Sequence, residues 1–534
     1  MHGRVAKRVG RGRLYGLLAS TSVAALLIGG GAPAAFAACQ IAPGSDQALV
    51  SNSGAINCIR IDGIAVTGNV TNTNTGTLTA TNPSLQSNGI IILNASVGGA
   101  VVNAGQITAA GYGNGIFVTN QATVSGGISN SGTITVTLGN GILIGSTSTI
   151  SVTISSFGGG ITNSGTITAS TGTGIVVGDR SASNVTIKIS SFAGGISNSG
   201  TIAARIDGIW VGGGYPVYAN ANGFVTISNF AGGISNSGTI AAGLNGIFVG
   251  GAAAPYGAAI ITTISTFSGG IANSGTISAG NIGILVGRTA NAGANVTFST
   301  FSGGISNGGT ISAGNIGINV NDVSTFLGGI TNSGTVTAAG GPGIAISNVG
   351  QFGSTSAGDG VVNTGTISAA GAGISVANVA TFVGNISNSG TITGATGVVI
   401  GAGVNFAASA AIVNSGTITG TTLSINDTAA SGPVTIDQTG GLISGNIGLS
   451  AEFDTVNITG GSIAGDIVGS GTGTLNFNLG AASTYTDTNK FVDLSQVNVD
   501  NGTTLVLNST ATAPAPCRSA LVARCPAPAP SRPR

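Results

Sequence analysis

Apolar and polar residues alternate along most of this chain, in runs of a few residues that end at Gly, Asn or Ser. In Gly208-Ile209-Trp210-Val211 and Gly283-Ile284-Leu285-Val286, the Ile and Val stand two apart and share one face. Runs such as Thr133-Ile134-Thr135 and Thr391-Ile392-Thr393 place one Ile between hydroxyl side chains. A period of two predicts half-buried strands. A helical repeat is excluded, because Gly every few residues would cost about 1 kcal/mol at each position in a helix interior. The residues between the glycines are Ile, Val, Thr and Phe, the set that favours strands.

The strands recur in a fixed order. The word Asn-x-Gly-x-(Ile/Val/Leu) starts at Asn52, Asn74, Asn103, Asn130, Asn163, Asn198, Asn236, Asn273, Asn307, Asn332, Asn363, Asn388 and Asn414, at intervals of 22 to 38 residues. Its fullest form, Gly-Gly-Ile-Ser-Asn-Ser-Gly-Thr-Ile, stands at 126–134, 194–202 and 232–240. Gly440-Gly441-Leu442-Ile443 and Gly460-Gly461-Ser462-Ile463 are degenerate further copies. Self-similarity at this period marks a solenoid. The expected fold is all-β, a parallel β-helix of roughly 13–15 coils whose stability accumulates by neighbour stacking. The thirteen full copies would span about 60 Å.

Two side-chain ladders follow from the spacing. Phe157, Phe192, Phe230, Phe267, Phe301, Phe326 and Phe382 each lie six residues before a repeat Asn and four before the following Ile, which predicts an interior Phe stack. The repeat Asn, with Asn130, Asn163, Asn198, Asn236 and Asn273 as central members, is expected to bond amide to amide from coil to coil. A ligand-binding role for so many identical Asn is the weaker reading.

Between coils the repeat varies. The outward residue of Gly-Ile-x-Val is Phe117, Leu143, Val176, Trp210, Phe248 and Leu285, and then Asn319, Ala345 and Ser375. The longest intervals carry Tyr215-Pro216-Val217-Tyr218 and Ala254-Pro255-Tyr256. Solenoid insertions map to loops on one face. Either these loops cover the apolar row, or Trp210, Tyr215, Tyr218, Phe248 and Tyr256 form an exposed platform for a partner or glycan. The accessibility of Trp210 separates the two. The Thr-Ile-Thr runs predict an outer hydroxyl face. Regular Thr ladders can bind ice, but along the sequence this one is interrupted and irregularly spaced.

Composition narrows the chemistry. Of 534 residues 95 are Gly, 42% are hydrophobic and 5% are charged, too apolar for a solvated disordered chain. The formal charge of +1 is a cancellation, since nine basic residues sit at the two extremes. Six remain in the body against all 14 acids, a body charge of −8, which argues against a nucleic-acid surface. The one His is His2, so His-dependent nucleophilic catalysis and His-ligated metal are excluded from the body. Eight acids fall between Asp427 and Asp500 against one Lys490. They read as a solvated acidic face, with weak Ca²⁺ binding as the lesser alternative. Asp179, Arg180, Lys188, Arg205 and Asp207 form the closest charged set, and a β-helix enzyme acting on polysaccharide would have to use it. No cofactor is expected.

Residues 1–37 read as a signal peptide, with a basic start, an apolar run from Leu14 to Ile28 and Ala35-Phe36-Ala37 before the cut. Export favours pairing of Cys39 with Cys58, which would close an N-terminal cap at 38–60. The repeat body is placed at 61–420 and degenerate acidic coils at 421–510. Residues 511–534, with six Pro and four Arg, read as a disordered tail.

Together, the leader, the Gly-Ile-x-Asn-Ser-Gly-Thr-Ile repeats and the Asn/Thr-rich end resemble the passenger region of type V autotransporters. Phe491-Val492-Asp493-Leu494 and Asn501-Gly502-Thr503-Thr504-Leu505-Val506-Leu507 are similar to the passenger end that precedes the membrane barrel. The resemblance implies a right-handed β-helix displayed outside the outer membrane for adhesion, autoaggregation or biofilm. Its partners would be a host or neighbouring cell surface, a glycan or a second copy. No catalytic motif of the family carries over. The family's C-terminal β-barrel is not in this sequence, so the expectation includes a truncated or frameshifted reading frame and a periplasmic location. The alternatives are the polysaccharide-acting enzyme and, more remotely, an ice-binding solenoid.

Overall fold

The computed structural model describes residues 39–41, 46–81, 87–146, 151–179, 186–214, 223–251, 260–289, 295–354, 360–407, 411–480, 483–487, 489–500, 502–507 and 518–519. The expected leader lies outside them, as does the tail apart from Arg518–Ser519. The described residues are all β, with no helix, and 52 strands join one parallel sheet system that wraps almost closed round an axis. This is a parallel β-helix.

One central coil shows the logic. Ile196–Asn198 leads through a Ser-Gly turn to Thr201–Ala204, then to Ile209–Gly213 and to Gly223–Phe230. Each strand pairs in parallel with the same strand of the next coil, in constant register: Asn198 faces Asn236, Thr201 faces Thr239, Ile209 faces Ile247 and Phe230 faces Phe267. The first two strands bury alternate residues, as period two requires. The third departs from it. In Ile209-Trp210-Val211-Gly212-Gly213 both faces are buried.

Along the Asn-bearing strand, sixteen successive pairings make 17 rungs from Val50–Asn52 to the end of Phe491–Val499. The stack therefore runs beyond the thirteen Asn-marked copies. After Asn414 the Asn of the word is lost, yet Ile436, Val456, Leu475 and Val497 keep the apolar register. At ~4.8 Å per rung the column is about 77 Å long.

At the N-terminal end, Cys39 and Cys58 are disulfide-bonded, with Cα atoms 4.4 Å apart, and Gln40–Ile41 pairs below Ile59–Asp62. The first coil already starts at Val50–Asn52, inside the segment 38–60 expected to be a cap.

Candidate functional site

Both predicted ladders are present, and both are interior. Each repeat Asn amide donates to the Oδ1 of the next. Asn130, Asn163, Asn198, Asn236 and Asn273 make these bonds at 2.7 Å, and each also donates to the Gly carbonyl two residues on in its own coil. Gln438 takes the place of Asn after Asn414, accepting at 2.8 Å. The ladder's second rung is Asn72, not Asn74. Val70-Thr71-Asn72 pairs with Val50-Ser51-Asn52, so this turn is two residues longer, and Asn72 reaches Gly76 O four residues on. These amides close the turns and stitch the coils, and they are buried.

Phe157, Phe192, Phe230, Phe267, Phe301 and Phe326 stack with centroids 4.6–4.9 Å apart and planes within 6°. Phe352, which the offset rule missed, joins Phe326 to Phe382, and Phe406 extends the column at a tilt. Phe352 escaped because residues 353–360 lengthen the path to Asn363.

A platform at Trp210 and Phe248 is corrected: both side chains are 0% exposed. Their rings stack at 5.6 Å and 5°, and Trp210 Nε1 donates to Gly250 O at 3.2 Å. Ile282 and Leu285 complete this buried cluster. Ile91, Phe117, Leu143 and Val176 form a second one lower on the same row. The outward apolar row is therefore buried and does not face water. Tyr215, Tyr218 and Tyr256 lie outside the described residues.

The charged set is spread over different environments. Asp207 is fully buried and accepts from Asn245 Nδ2 at 2.8 Å and Asn245 N–H at 3.2 Å. Lys188 is exposed on Thr186–Ile189, Arg205 is exposed at a turn, Asp179 ends the strand Ile175–Asp179, and Arg180 is outside the described residues. Asp207 instead belongs to a second polar row missed in the sequence, Asn88, Asn114, Asn140, Thr173, Asp207 and Asn245. Within it, Asn114 N–H donates to Asn88 Oδ1 at 2.7 Å and Asn140 N–H to Asn114 Oδ1 at 2.9 Å. Its signal was legible: each member stands before the Gly-Ile of the third strand. Among the described residues, no group of three or more His, Cys, Asp or Glu could hold a metal ion.

The described surface carries an extended regular feature. From Thr133 to Thr417, ten successive coils place a Thr at the same outward position, with no gap. The next outward position, from Thr135 to Thr419, is Thr or Ser except for Ala203 and Ala241. These residues are exposed or half-exposed, and none carries a charge. The interruption expected from the sequence is present in the second column, at Ala203 and Ala241, while the irregular spacing along the chain is corrected, since it does not reach this face. Length variation falls in other turns, so the register stays constant. Hydroxyls thus repeat at ~4.8 Å along the axis and roughly 7 Å across the strand.

The chain matches no family model, no curated protein and no solved structure.

Proposed function

We propose that this chain is a secreted or cell-surface solenoid with a structural or adhesive role, similar to an autotransporter passenger, that meets a cell surface, a glycan or another copy through its hydroxyl face. The observation that carries the reading is that face: ten rungs, each with an uncharged outward Thr, on a parallel sheet. Such a surface offers many weak, repeated hydrogen bonds, which suits multivalent adhesion. The leader-like residues 1–37 support export. The polysaccharide-acting alternative loses support, because Asp207, its central acid, is buried in a ladder.

The test uses the full chain on beads, scored for clustering and for adhesion to cells and glycan-coated surfaces. Thr239→Lys with Thr310→Lys puts two charges on the face, two rungs apart, without touching the core. Adhesion should fall about tenfold or more while the β-sheet circular dichroism is unchanged. Wild-type beads that neither cluster nor adhere, or a double variant that adheres equally well, would refute the reading.

The unbroken Thr column also favours a second reading, an ice-binding solenoid. A regular two-dimensional array of hydroxyl and methyl groups can order a water layer. Thermal hysteresis that disappears in the same double variant would establish it, and absence of hysteresis would remove it.

A further inference from the structure

Beyond Asn414 the interior carries two carboxylates. Asp427 follows the strand Thr417–Asn426 with the inward parity of Ile425, and Asp454 precedes Thr455–Ile458 with the inward parity of Val456. Both side chains are 0% exposed. Asp454 is well supplied with donors: Val434 N–H at 2.8 Å on Oδ1, and Ser450 N–H and Oγ, each at 2.7 Å, on Oδ2. Neither oxygen of Asp427 has a hydrogen-bond partner. Two backbone amides, its own and that of Ser450, weakly favour its charged form, but they bond elsewhere, the first to Gly448 O at 3.0 Å and the second to Asp454.

Among the described residues no cation compensates. The strands and turns packed around the pair also carry Asp437, Glu452 and Asp466, which are partly solvated and not turned into the interior, and Lys490 is exposed. Two buried carboxylates close enough for the charge of one to act on the other resist joint ionisation. Burial, and then the charge of Asp454, push the Asp427 carboxyl from 3.8 up to about 8.

We propose that Asp427 and Asp454 form a one-proton carboxyl pair that acts as a pH-sensitive latch on the C-terminal coils, closed while Asp427 is protonated and loosened when it ionises. The folded state holds this proton more tightly than the unfolded chain does. The stabilisation is therefore complete below about pH 4, is lost progressively as pH rises, and is gone above about pH 8. The coils from Thr417 to Phe477 are tightest in acid.

The full chain tests this. Infrared spectra at neutral pH should show a protonated-carboxyl band that fades above about pH 8 and is missing in Asp427→Asn. Asp454→Asn removes the neighbouring charge and should move the midpoint of that band towards acid. Hydrogen exchange, corrected for intrinsic rates, should show protection of residues 417–477 falling about tenfold or more between pH 6 and 9, with no such fall around Asn198 to Asn273. Asp427→Asn should flatten the response. Absence of the band, or an Asp427→Asn chain with the wild-type pH response, overturns the proposal. Recovery of alkaline protection on adding calcium chloride also overturns it, because the pair would then be a cation site.

Discussion

At the scale of single residues, the ladder Asn does work that no other side chain of its size can do. Asn236 accepts from Asn198 and donates to Asn273 Oδ1 and Gly238 O, all in the interior. Asn236→Ala would strand a donor and two acceptors. An unsatisfied buried group costs roughly 1–3 kcal/mol, so a local loss of about 3 kcal/mol or more is expected, read as faster hydrogen exchange in the coils on either side. Asn236→Asp keeps the acceptor but loses the donor to Asn273, and should be no better. The second Gly of Gly-Gly-Ile is equally constrained. Gly195 has φ +69°, and a Cβ there would lie 2.5 Å from Gly232 O on the next coil. Gly195→Ala must therefore push neighbouring backbones apart and should lower the thermal midpoint. The motif revealed the chemistry of these positions, but it misplaced one rung. Asn74 fits the word and Asn72 fits the pairing. Only hydrogen bonding between coils distinguishes two Asn in one turn, and that information is not local.

At the scale of the element, the Phe column shows how far spacing carries. A fixed offset from Asn found seven rings, because between Phe and Asn those coils have identical turns. Phe352 and Phe406 stack on the same column although their downstream turns differ in length. The third strand failed differently. Parity placed Trp210 outward, and it is outward, but parity does not say whether an outer face meets water. Trp210 is in fact fully buried, in a cluster with Phe248, Ile282 and Leu285 that is separate from the main interior. Phe230 has parallel rings on both sides, with centroids 4.6 and 4.7 Å away. Phe230→Ala should cost about 3–5 kcal/mol through the cavity it leaves, and Phe230→Leu less. The measurement is exchange in the flanking coils, where the loss should fade within one or two rungs, as nearest-neighbour stacking requires.

Across the whole molecule, stability is a sum over stacked coils, and the two ends are built differently. Every central rung has a partner above and below, but among the described residues the first, Val50–Asn52, pairs only with Val70–Asn72. In the same coil Ile59–Asp62 is covered by Gln40–Ile41, which the Cys39–Cys58 bond ties down. In the chain-entropy estimate, a bridge closing a loop of about 20 residues contributes roughly 3 kcal/mol. The solenoid cannot spread that contribution along its length, because each coil touches only its neighbours. Reduction of the disulfide, or Cys39→Ala with Cys58→Ala, should therefore raise hydrogen exchange in the first two or three coils and leave those from Asn130 upward unchanged. A uniform loss of protection along the whole chain would instead mean that the column unfolds as one cooperative unit. Pairing of each rung with its immediate neighbours predicts the graded outcome, since no single layer links the two ends.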